Sequence, residues 1–332
     1  MTTRERFQAV LDGRTPDRLP IIEWAGWWDK TVRNWQAEEP SCPGEQKALF
    51  RHFGLDRHDQ FWVSPRGEGC PSAPYHGAPV ILDEAGYEKI LPCLFTESIY
   101  QNLTENLLEI RDLHAAGNTA VWFSLEGYFW FPRTLLGIEN HLYAFYDLPE
   151  LMQRMNRDLL AHHERVLETI YAILTPEFMT FAEDMSYNNG PMLSRALYDE
   201  FMLPCCQKIV PQIKARGTKV FIDTDGFLEP MIPWFRDAGI EGVLPLERQS
   251  GVDVNRIRCN HPDWLMLGGF DKTVMHLGEA AMRAEFERLA PAMRTGRFLP
   301  GVDHQTPPEV SLENYRIYVN LLREYAEKGV QL

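Results

Sequence analysis

Short apolar runs alternate with longer segments whose apolar residues recur at helical spacing along most of the chain. The runs are rich in Val, Ile, Leu and Phe and do not alternate with polar residues, which is typical of strands buried on both faces. Regular alternation of strands and helices favours a parallel sheet. Eight strands are predicted, at residues 19–23, 60–63, 121–124, 179–182, 219–223, 242–246, 265–268 and 298–300.

The polar-faced segments between these runs predict helices. A capping box at residues 2–5 begins a short N-terminal helix that runs to residue 11, with Gly13 closing it. Eight strand–helix units indicate a (β/α)8 TIM barrel with an N-terminal helical extension. A doubly wound open sheet is the alternative fold, but no Gly-x-Gly-x-x-Gly turn supports it. The other predicted helices are residues 102–116, 148–174, 194–216, 228–238, 279–293 and 313–328.

A length of 332 residues suits one such barrel, so residues 1–332 are predicted to form a single domain. Residues 35–92 are rich in Pro, Gly and aromatic side chains and predict an irregular insertion or lid. Hydrophobic residues make up 45% of the chain, which is enough for a sizeable core. We find no internal repeat that would suggest a solenoid.

The formal net charge of −14 argues against a nucleic-acid partner and against docking on anionic lipid. No apolar run approaches the ~18 residues of a membrane span, and the first residues lack the apolar core of a signal peptide. The cytoplasm is therefore the expected location. The six cysteines show no Cys-x-x-Cys spacing and are expected to be reduced thiols: Cys42, Cys70, Cys93, Cys205, Cys206 and Cys259.

Ionisable side chains follow several predicted strands, at the end where a parallel barrel keeps its active site. We expect a common acidic pocket there, with Asp225 and His304 as catalytic residues, the His carrying a proton and the Asp orienting or binding the substrate. Trp24 and Trp27 are expected to present flat faces to a ligand, with Tyr128, Phe129 and Trp130 in a further aromatic wall. The substrate-binding acids would be Glu126, Glu183, Asp184, Asp223, Glu247 and Asp303.

Structural roles compete with these assignments. Adjacent strand residues point apart, so one of Glu183 and Asp184 is expected to be structural. Asp223 could cap the following helix, and His304 could be tied in a loop hydrogen bond. Both tryptophans could belong to the core.

Several short segments along the chain form a recognisable series: residues 3–7, residues 13–20 (Gly-Arg-Thr-Pro-Asp-Arg-Leu-Pro), residues 190–194, residues 201–204, residues 268–272 (Gly-Gly-Phe-Asp-Lys), and Pro307-Pro308 before Glu313-Asn314. In this order, and nearly end to end, they resemble the uroporphyrinogen decarboxylase superfamily. This resemblance implies a (β/α)8 barrel with a deep pocket at the strand carboxyl ends. The superfamily holds true decarboxylases and also methyltransferases that work with methyl-corrinoid proteins.

The chain departs from both branches at residues that matter for chemistry. The decarboxylases resemble one another in a segment whose arginines hold substrate carboxylates, whereas residues 22–28 carry Trp or Glu at both Arg positions. Their catalytic Asp also has no clear match near residues 63–65. The zinc methyltransferases present His-x-Cys and a later Cys, where this chain has Asp223-Thr224-Asp225 and Val302. A soft zinc site is therefore not expected.

An acidic, aromatic pocket suits a cationic or amine-bearing ligand, the amino-pyrimidine edge of a pterin, or a hard metal. The leading hypothesis is a corrinoid-linked methyltransferase, with methylcobalamin or tetrahydrofolate as methyl partner and a corrinoid protein as macromolecular partner. The alternatives are a decarboxylase of uroporphyrinogen or a related substrate, and a non-catalytic corrinoid- or tetrapyrrole-binding protein. A divalent metal at Asp223, Asp225 and His304, and a homodimer, are left open. Uroporphyrinogen, a polyanion, is expected to be a poor substrate.

Overall fold

The computed structural model describes residues 1–330. Seven strands form one parallel sheet in the spatial order β1-β2-β3-β6-β7-β8-β9, and helices cover its outer face. The strands of this sheet are β1 His58–Val63, β2 Ala120–Glu126, β3 Phe178–Ala182, β6 Lys219–Asp223, β7 Gly242–Leu244, β8 Leu265–Phe270 and β9 Phe298–Val302. A two-stranded antiparallel hairpin follows β3, made of β4 Ser186–Tyr187 and β5 Gly190–Pro191.

The strands form as their composition predicts, because β2, β3, β8 and β9 are buried along their whole length. The register is continuous, with Glu126 beside Ala182 and Ala182 beside Asp223. The carboxyl ends of neighbouring strands therefore meet at one edge, where the predicted acids lie.

The eighth strand, predicted at residues 19–23, is not formed, and no ladder joins β9 to β1 in residues 1–330. The segment nevertheless lies between those two strands. The backbone N–H of Asp56 donates to the carbonyl of Ile21 at 2.8 Å, and Trp24 donates to the carbonyl of Val302 at 2.7 Å. Because its contacts are mostly isolated or made by side chains, the segment fills the gap without strand pairing. The fold is an α/β structure resembling a TIM barrel.

The helices pack around the sheet. The predicted capping box is confirmed, since Thr2 Oγ1 accepts from the Glu5 N–H and the Glu5 carboxylate accepts from the Thr2 N–H. The helices are α1 Thr3–Leu11, α2 Asp29–Glu38, α3 Gln46–Phe53, α4 Glu84–Ile90, α5 Glu97–Ala115, α6 Trp130–Leu136, α7 Ile138–Asp147, α8 Pro149–Tyr171, α9 Arg195–Phe201, α10 Leu203–Ala215, α11 Ile232–Asp237, α12 Val254–Asn260, α13 Glu279–Arg294 and α14 Leu312–Lys328.

Residues 35–92 are more ordered than their composition predicts. They hold α3, β1 and α4, and the end of α2, so only residues 64–83 form a long irregular connection. The hydrophobic spacing of α3 is clear in the structure, because Leu49, Phe50 and Phe53 are all buried. The sequence prediction of an irregular region gave too much weight to Pro and Gly.

The irregular connection is tied to residues 91–95. Gly67 donates to the carbonyl of Cys93, and Cys70 and Cys93 form a disulfide. The expectation of six reduced thiols is therefore wrong for this pair, because the fold brings together two cysteines that sequence spacing does not relate. The other four cysteines are free, three of them buried. No helix among residues 1–330 is long and apolar enough to cross a membrane.

Candidate active site

A cavity of about 340 Å³ lies at the carboxyl ends of the strands. Its volume is near the lower end of the ~300–1,000 Å³ that small-molecule sites occupy. Three indole rings and four carboxylates dominate its surface. The lining residues are Trp24, Ala25, Gln60, Trp62, Trp130, Ala182, Glu183, Asp184, Asp223, Asp225, His304 and Gln305.

The structure brings six of the ten predicted catalytic and substrate-binding residues into this cavity: Trp24, Glu183, Asp184, Asp223, Asp225 and His304. Of the predicted aromatic wall, Trp130 lines the cavity, whereas Tyr128 and Phe129 are fully buried and do not. Trp27 does not line it. That ring is buried among aromatic side chains, with its centroid 5.8 Å from those of Phe50 and Tyr315. The alternative prediction for Trp27, a place in the core, describes its position.

Glu126, Glu247 and Asp303 lie near the cavity and do not line it. The Glu126 carboxylate accepts from Ser64 Oγ at 3.2 Å. Glu247 accepts from the Gly226 N–H at 3.0 Å and lies 3.8 Å from the Lys272 ammonium. Asp303 is buried and accepts from the backbone N–H groups of Arg248 and Lys272. These three carboxylates hold loops beside the cavity.

Glu183 is a structural carboxylate. One oxygen accepts from the Tyr128 N–H at 2.9 Å, and the other accepts from the N–H groups of Phe129 and Trp130 at 2.7 and 3.2 Å. These donors lead into α6, so the carboxylate lies at the positive end of that helix. Burial raises the pKa of Glu183 to about 7, against the lowering effect of the three donors. A Cβ on Gly127 would lie 2.0 Å from the carboxyl carbon, so only Gly leaves room for it.

Asp184 has an unusual backbone conformation and one cationic partner. Its φ of +41° is in the left-handed region, which side chains other than Gly rarely adopt. Its N–H and that of Glu183 both donate to the carbonyl of Asp223, which joins the ends of β3 and β6. Arg133 donates to both the carbonyl and the carboxylate of Asp184, at 2.8 and 2.9 Å. The charge of Asp184 is thereby largely compensated.

Asp223 and Asp225 differ from the other acids because their carboxylates make no hydrogen bond or ion pair within residues 1–330. Burial raises the pKa of Asp223 well above its ordinary value, and the charges of Asp225 and Asp184 raise it further. Burial, followed by the charges of Glu247 and Asp184, raises the pKa of Asp225 to about 7. The prediction that Asp223 caps a helix has no supporting hydrogen bond.

The loop that carries Asp225 is rigid although the carboxylate is free. Ser186 Oγ donates to the Asp225 carbonyl, and Thr224 Oγ1 accepts from the Met185 N–H at 3.0 Å. Gly226 has a φ of +81°, and a Cβ there would lie 2.6 Å from the backbone of Tyr187. The β4–β5 hairpin therefore positions Asp225 through contacts with its backbone.

The imidazole of His304 is partly buried and makes no hydrogen bond within residues 1–330. Burial, with the nearby Lys272 cation, lowers its pKa. The loop is held instead by Asp303, next in the chain. Bracing of this loop is therefore a role of Asp303, and the His304 ring is free to face the cavity.

Trp62, Gln60 and Gln305 line the cavity and were not predicted. Residues 60 and 62 lie on the same side of β1, because strand side chains alternate. Gln60 donates to Ser124 Oγ at 3.0 Å, and Ser124 Oγ bonds to Thr180 Oγ1 at 2.8 Å, so buried hydroxyl groups hold the Gln60 side chain beside the cavity. The half-exposed Trp62 at a strand end was the available sequence signal.

Glu23 is a second buried acid that sequence reasoning did not select. Its side chain is fully buried and accepts from the Tyr315 hydroxyl at 3.1 Å, while its other oxygen has no partner in residues 1–330. Burial raises the pKa of Glu23 to about 8. It occupies the segment where the related decarboxylases carry substrate-binding arginine, and it is expected to be mostly protonated at neutral pH.

None of the residues that line this cavity is Lys or Arg. Arg133 is paired with Asp184 and lies over the Trp130 ring, 5.2 Å from its centroid. In residues 1–330, no group of three or more His, Cys, Asp or Glu side chains is placed to hold a metal ion. Within these residues, Asp223, Asp225 and His304, where the sequence left a divalent metal open, do not form a complete ligand set.

TIM-barrel enzymes keep their active sites at the strand carboxyl ends, which is where the acidic cavity of this α/β fold lies. The model of the uroporphyrinogen decarboxylase (URO-D) family matches residues 177–325, which hold β3 to β9. This match covers somewhat less than half of the chain and agrees with the resemblance that the sequence motifs indicate. No curated protein sequence matches the chain.

Solved structures are similar in fold. A methyltransferase from Methanosarcina mazei has a TM-score of 0.67 at 16% identity, over 98% of this chain and 99% of that one. A B12-independent methionine synthase from Shewanella sp. W3-18-1 has a TM-score of 0.41 at 11% identity, over 67% and 65% of the two chains. A putative vitamin B12-independent methionine synthase from Listeria monocytogenes has a TM-score of 0.45 at 10% identity, over 92% and 94%. Only the first is similar enough to support the fold.

Proposed function

We propose that the protein is a corrinoid-linked methyltransferase whose active site is the cavity lined by Asp223, Asp225 and His304. The observation that carries this proposal is the combination of unpaired carboxylates and indole faces in a cavity whose lining has no Lys or Arg. A polyanionic porphyrinogen would bring its carboxylates towards like charges without compensation. A methyl donor or acceptor that is neutral or cationic suits these groups.

A corrinoid would lie at the mouth of the cavity and not inside it. The cavity is too small to enclose the macrocycle, but its surface includes Trp62, which is 51% exposed. A corrinoid held by a partner protein at this end of the barrel would supply the cobalt that takes up or gives the methyl group. The residues of this chain would hold the small methylated molecule and exclude water from it.

Asp225 and His304 have distinct roles in this proposal. The Asp225 carboxyl, with its pKa raised to about 7, binds and orients the small molecule from a rigid loop. The His304 ring has a lowered pKa and is mostly neutral at neutral pH, so it can take up a proton and carry it towards solvent. Glu183 supports the cavity wall and moves no proton.

The test is methyl transfer with defined partners. The protein is incubated with methylcobalamin, with and without tetrahydrofolate, while visible absorbance follows loss of methyl from cobalt and chromatography follows methyltetrahydrofolate. Faster demethylation with wild-type protein than with Asp225→Asn supports the proposal. The exposed Asp112, whose side chain is 89% accessible, gives a matched Asp112→Asn control that should behave as wild type.

A parallel assay supplies uroporphyrinogen and measures carbon dioxide and coproporphyrinogen. Neither product is expected at an enzymatic rate. Rapid formation of coproporphyrinogen would overturn the proposal and establish the decarboxylase alternative. Absence of turnover in both assays, together with tight corrinoid binding, would instead establish the non-catalytic binding alternative.

A further inference from the structure

We propose that the small molecule bound in the cavity is a methylated ammonium compound, held by the faces of Trp24, Trp62 and Trp130 and by the charges of Asp223 and Asp225. This inference rests on the proposed function and names its substrate class. It follows from three features of the cavity: its unpaired negative charge, its aromatic walls, and the contacts that hold two of its three indole rings in place.

The first feature is negative charge without a counter-ion. Of the four carboxylates in the lining, Glu183 is satisfied by three N–H donors and Asp184 by Arg133. Asp223 and Asp225 have neither kind of partner in the described chain, and the Lys272 cation, which is paired with Glu247, acts on Asp225 only from a distance. Two adjacent carboxylates in a partly desolvated site must either stay protonated or bind a cation. A ligand that carries positive charge would relieve this repulsion.

The second feature decides between a metal ion and an organic cation. Three indole rings line the same cavity, and indole carbons do not coordinate metals. An indole face attracts an ammonium group through its π electrons, and Trp is the most effective residue for this contact. The apolar faces also suit N-methyl groups, which have no N–H to donate. A methylated ammonium fits both the walls and the charge.

The third feature is that the indoles come from elements that fix them. Trp24 donates to the Val302 carbonyl at 2.7 Å, and its ring approaches Gly301, where a Cβ would lie 3.2 Å from it. Trp130 begins α6, and Arg133 covers one of its faces. Trp62 stands near the end of β1 and is half exposed. Trp62 is therefore the most exposed of the three indole rings.

A methylated ammonium also suits the transfer chemically. Loss of the methyl group breaks the N–C bond and leaves its electron pair on nitrogen. A methyl acceptor held outside this cavity would supply the pair for the new bond to carbon. The nitrogen becomes a neutral amine and no proton is needed in that step. The amine product is basic, so protonation through Asp225 or His304 would follow before release.

The experiment measures binding and does not depend on methyl transfer. Choline and its neutral carbon isostere 3,3-dimethylbutan-1-ol are titrated into the full chain by calorimetry. Choline should bind at least about tenfold more tightly, because only it carries charge. Its affinity should rise from pH 6 to pH 8 as Asp225 and the neighbouring acids Glu183 and Asp303 lose their protons, whereas that of the isostere should not change.

Variants locate the site. Trp62→Leu should weaken choline binding by about 3- to 30-fold, and Asp225→Asn should weaken it at least as much. Trp28→Leu is the control, because Trp28 is 49% exposed and does not line the cavity. Zn²⁺ and Mg²⁺ are titrated separately. Either ion binding in an Asp225-dependent way, with choline not binding, would overturn the inference in favour of a metal.

The outcomes separate this inference from the proposed function. If methylcobalamin is demethylated but choline and tetramethylammonium do not bind, the substrate class is wrong and the methyltransferase proposal stands. If choline binds through Trp62 and Asp225 but no methyl group moves, the ligand class stands and the methyltransferase proposal is wrong. Equal binding of choline and its neutral isostere would also overturn the ammonium assignment.

Discussion

Glu183 and Asp225 are both acids that follow a buried strand, and both have a pKa raised to about 7. Their surroundings differ completely. Glu183 accepts three backbone N–H groups at the start of α6, whereas Asp225 has no side-chain partner in residues 1–330 and is held only through its backbone. A raised pKa therefore does not distinguish a structural acid from a functional one. The hydrogen-bond partners do.

The largest expected effect is on stability at Glu183. Glu183→Ala leaves three buried N–H groups without an acceptor, at ~1–3 kcal/mol each, so the free energy of unfolding should fall by at least about 3 kcal/mol. Urea denaturation measures this. Asp225→Ala is the matched comparison and should unfold at the wild-type urea concentration or above. Equal destabilisation by the two variants would remove the distinction between these acids.

The next effect is on turnover at Asp225. Asp225→Asn keeps the shape of the side chain and removes its charge, so methyl transfer should fall by about 10²- to 10³-fold. The melting temperature should stay the same or rise, because repulsion by Glu247 and Asp184 is relieved. Activity and thermal melting are measured on the same samples. A variant with lower stability and unchanged activity per folded molecule would assign Asp225 to the fold.

His304 extends the comparison to a neighbouring pair. His304→Ala should lower turnover by about 10²-fold with little change in melting temperature, because the ring makes no hydrogen bond within residues 1–330. Asp303→Ala should instead lower the melting temperature, because the Asp303 carboxylate accepts hydrogen bonds from two backbone N–H groups. Loss of stability in His304→Ala with normal specific activity would restore the loop-bracing role for the histidine.

The smallest effect is the pH dependence of stability. The pKa of Asp225 is raised on folding, so its contribution is complete below its unfolded value near 4 and is lost as pH rises through about 7. Buried histidines have lowered pKa values, so their protonation destabilises the fold only below about pH 6.5. Between pH 6.5 and pH 8.5, the change in stability therefore comes from the acids. The free energy of unfolding should fall across this window.

Asp225→Asn tests the source of that fall. The variant should lose about 1 kcal/mol less than wild type between pH 6.5 and pH 8.5, because the side chain that gains charge has been removed. The remaining decline belongs to the other acids with raised pKa values, including Asp303 and Glu23. If the free energy of unfolding falls equally with pH in the two proteins, the pKa of Asp225 is the same in the folded and unfolded states.

The fold was largely predictable because buried strands have a strong local signature. Residues 121–124, 179–182 and 219–223 lie within observed strands, and the N-terminal capping box forms as predicted. Residues 19–23 have the same apolar composition but form no strand. Their hydrogen bonds to the neighbouring segments are isolated or involve side chains, so no continuous backbone ladder forms. The composition of a segment predicts whether it is buried, but it does not predict whether a neighbouring strand is in register to pair with it.

The sequence by itself determined which acids lie at the strand carboxyl ends, because strand boundaries and chain direction are local properties. Only the tertiary structure decided their roles. The three N–H groups that satisfy Glu183 come from residues 128–130, and the arginine that pairs with Asp184 is residue 133. The disulfide partner of Cys70 is also distant in sequence, at a separation of 23 residues. Hydrogen bonds and ion pairs between distant segments depend on packing, and the order of residues along the chain does not encode them locally.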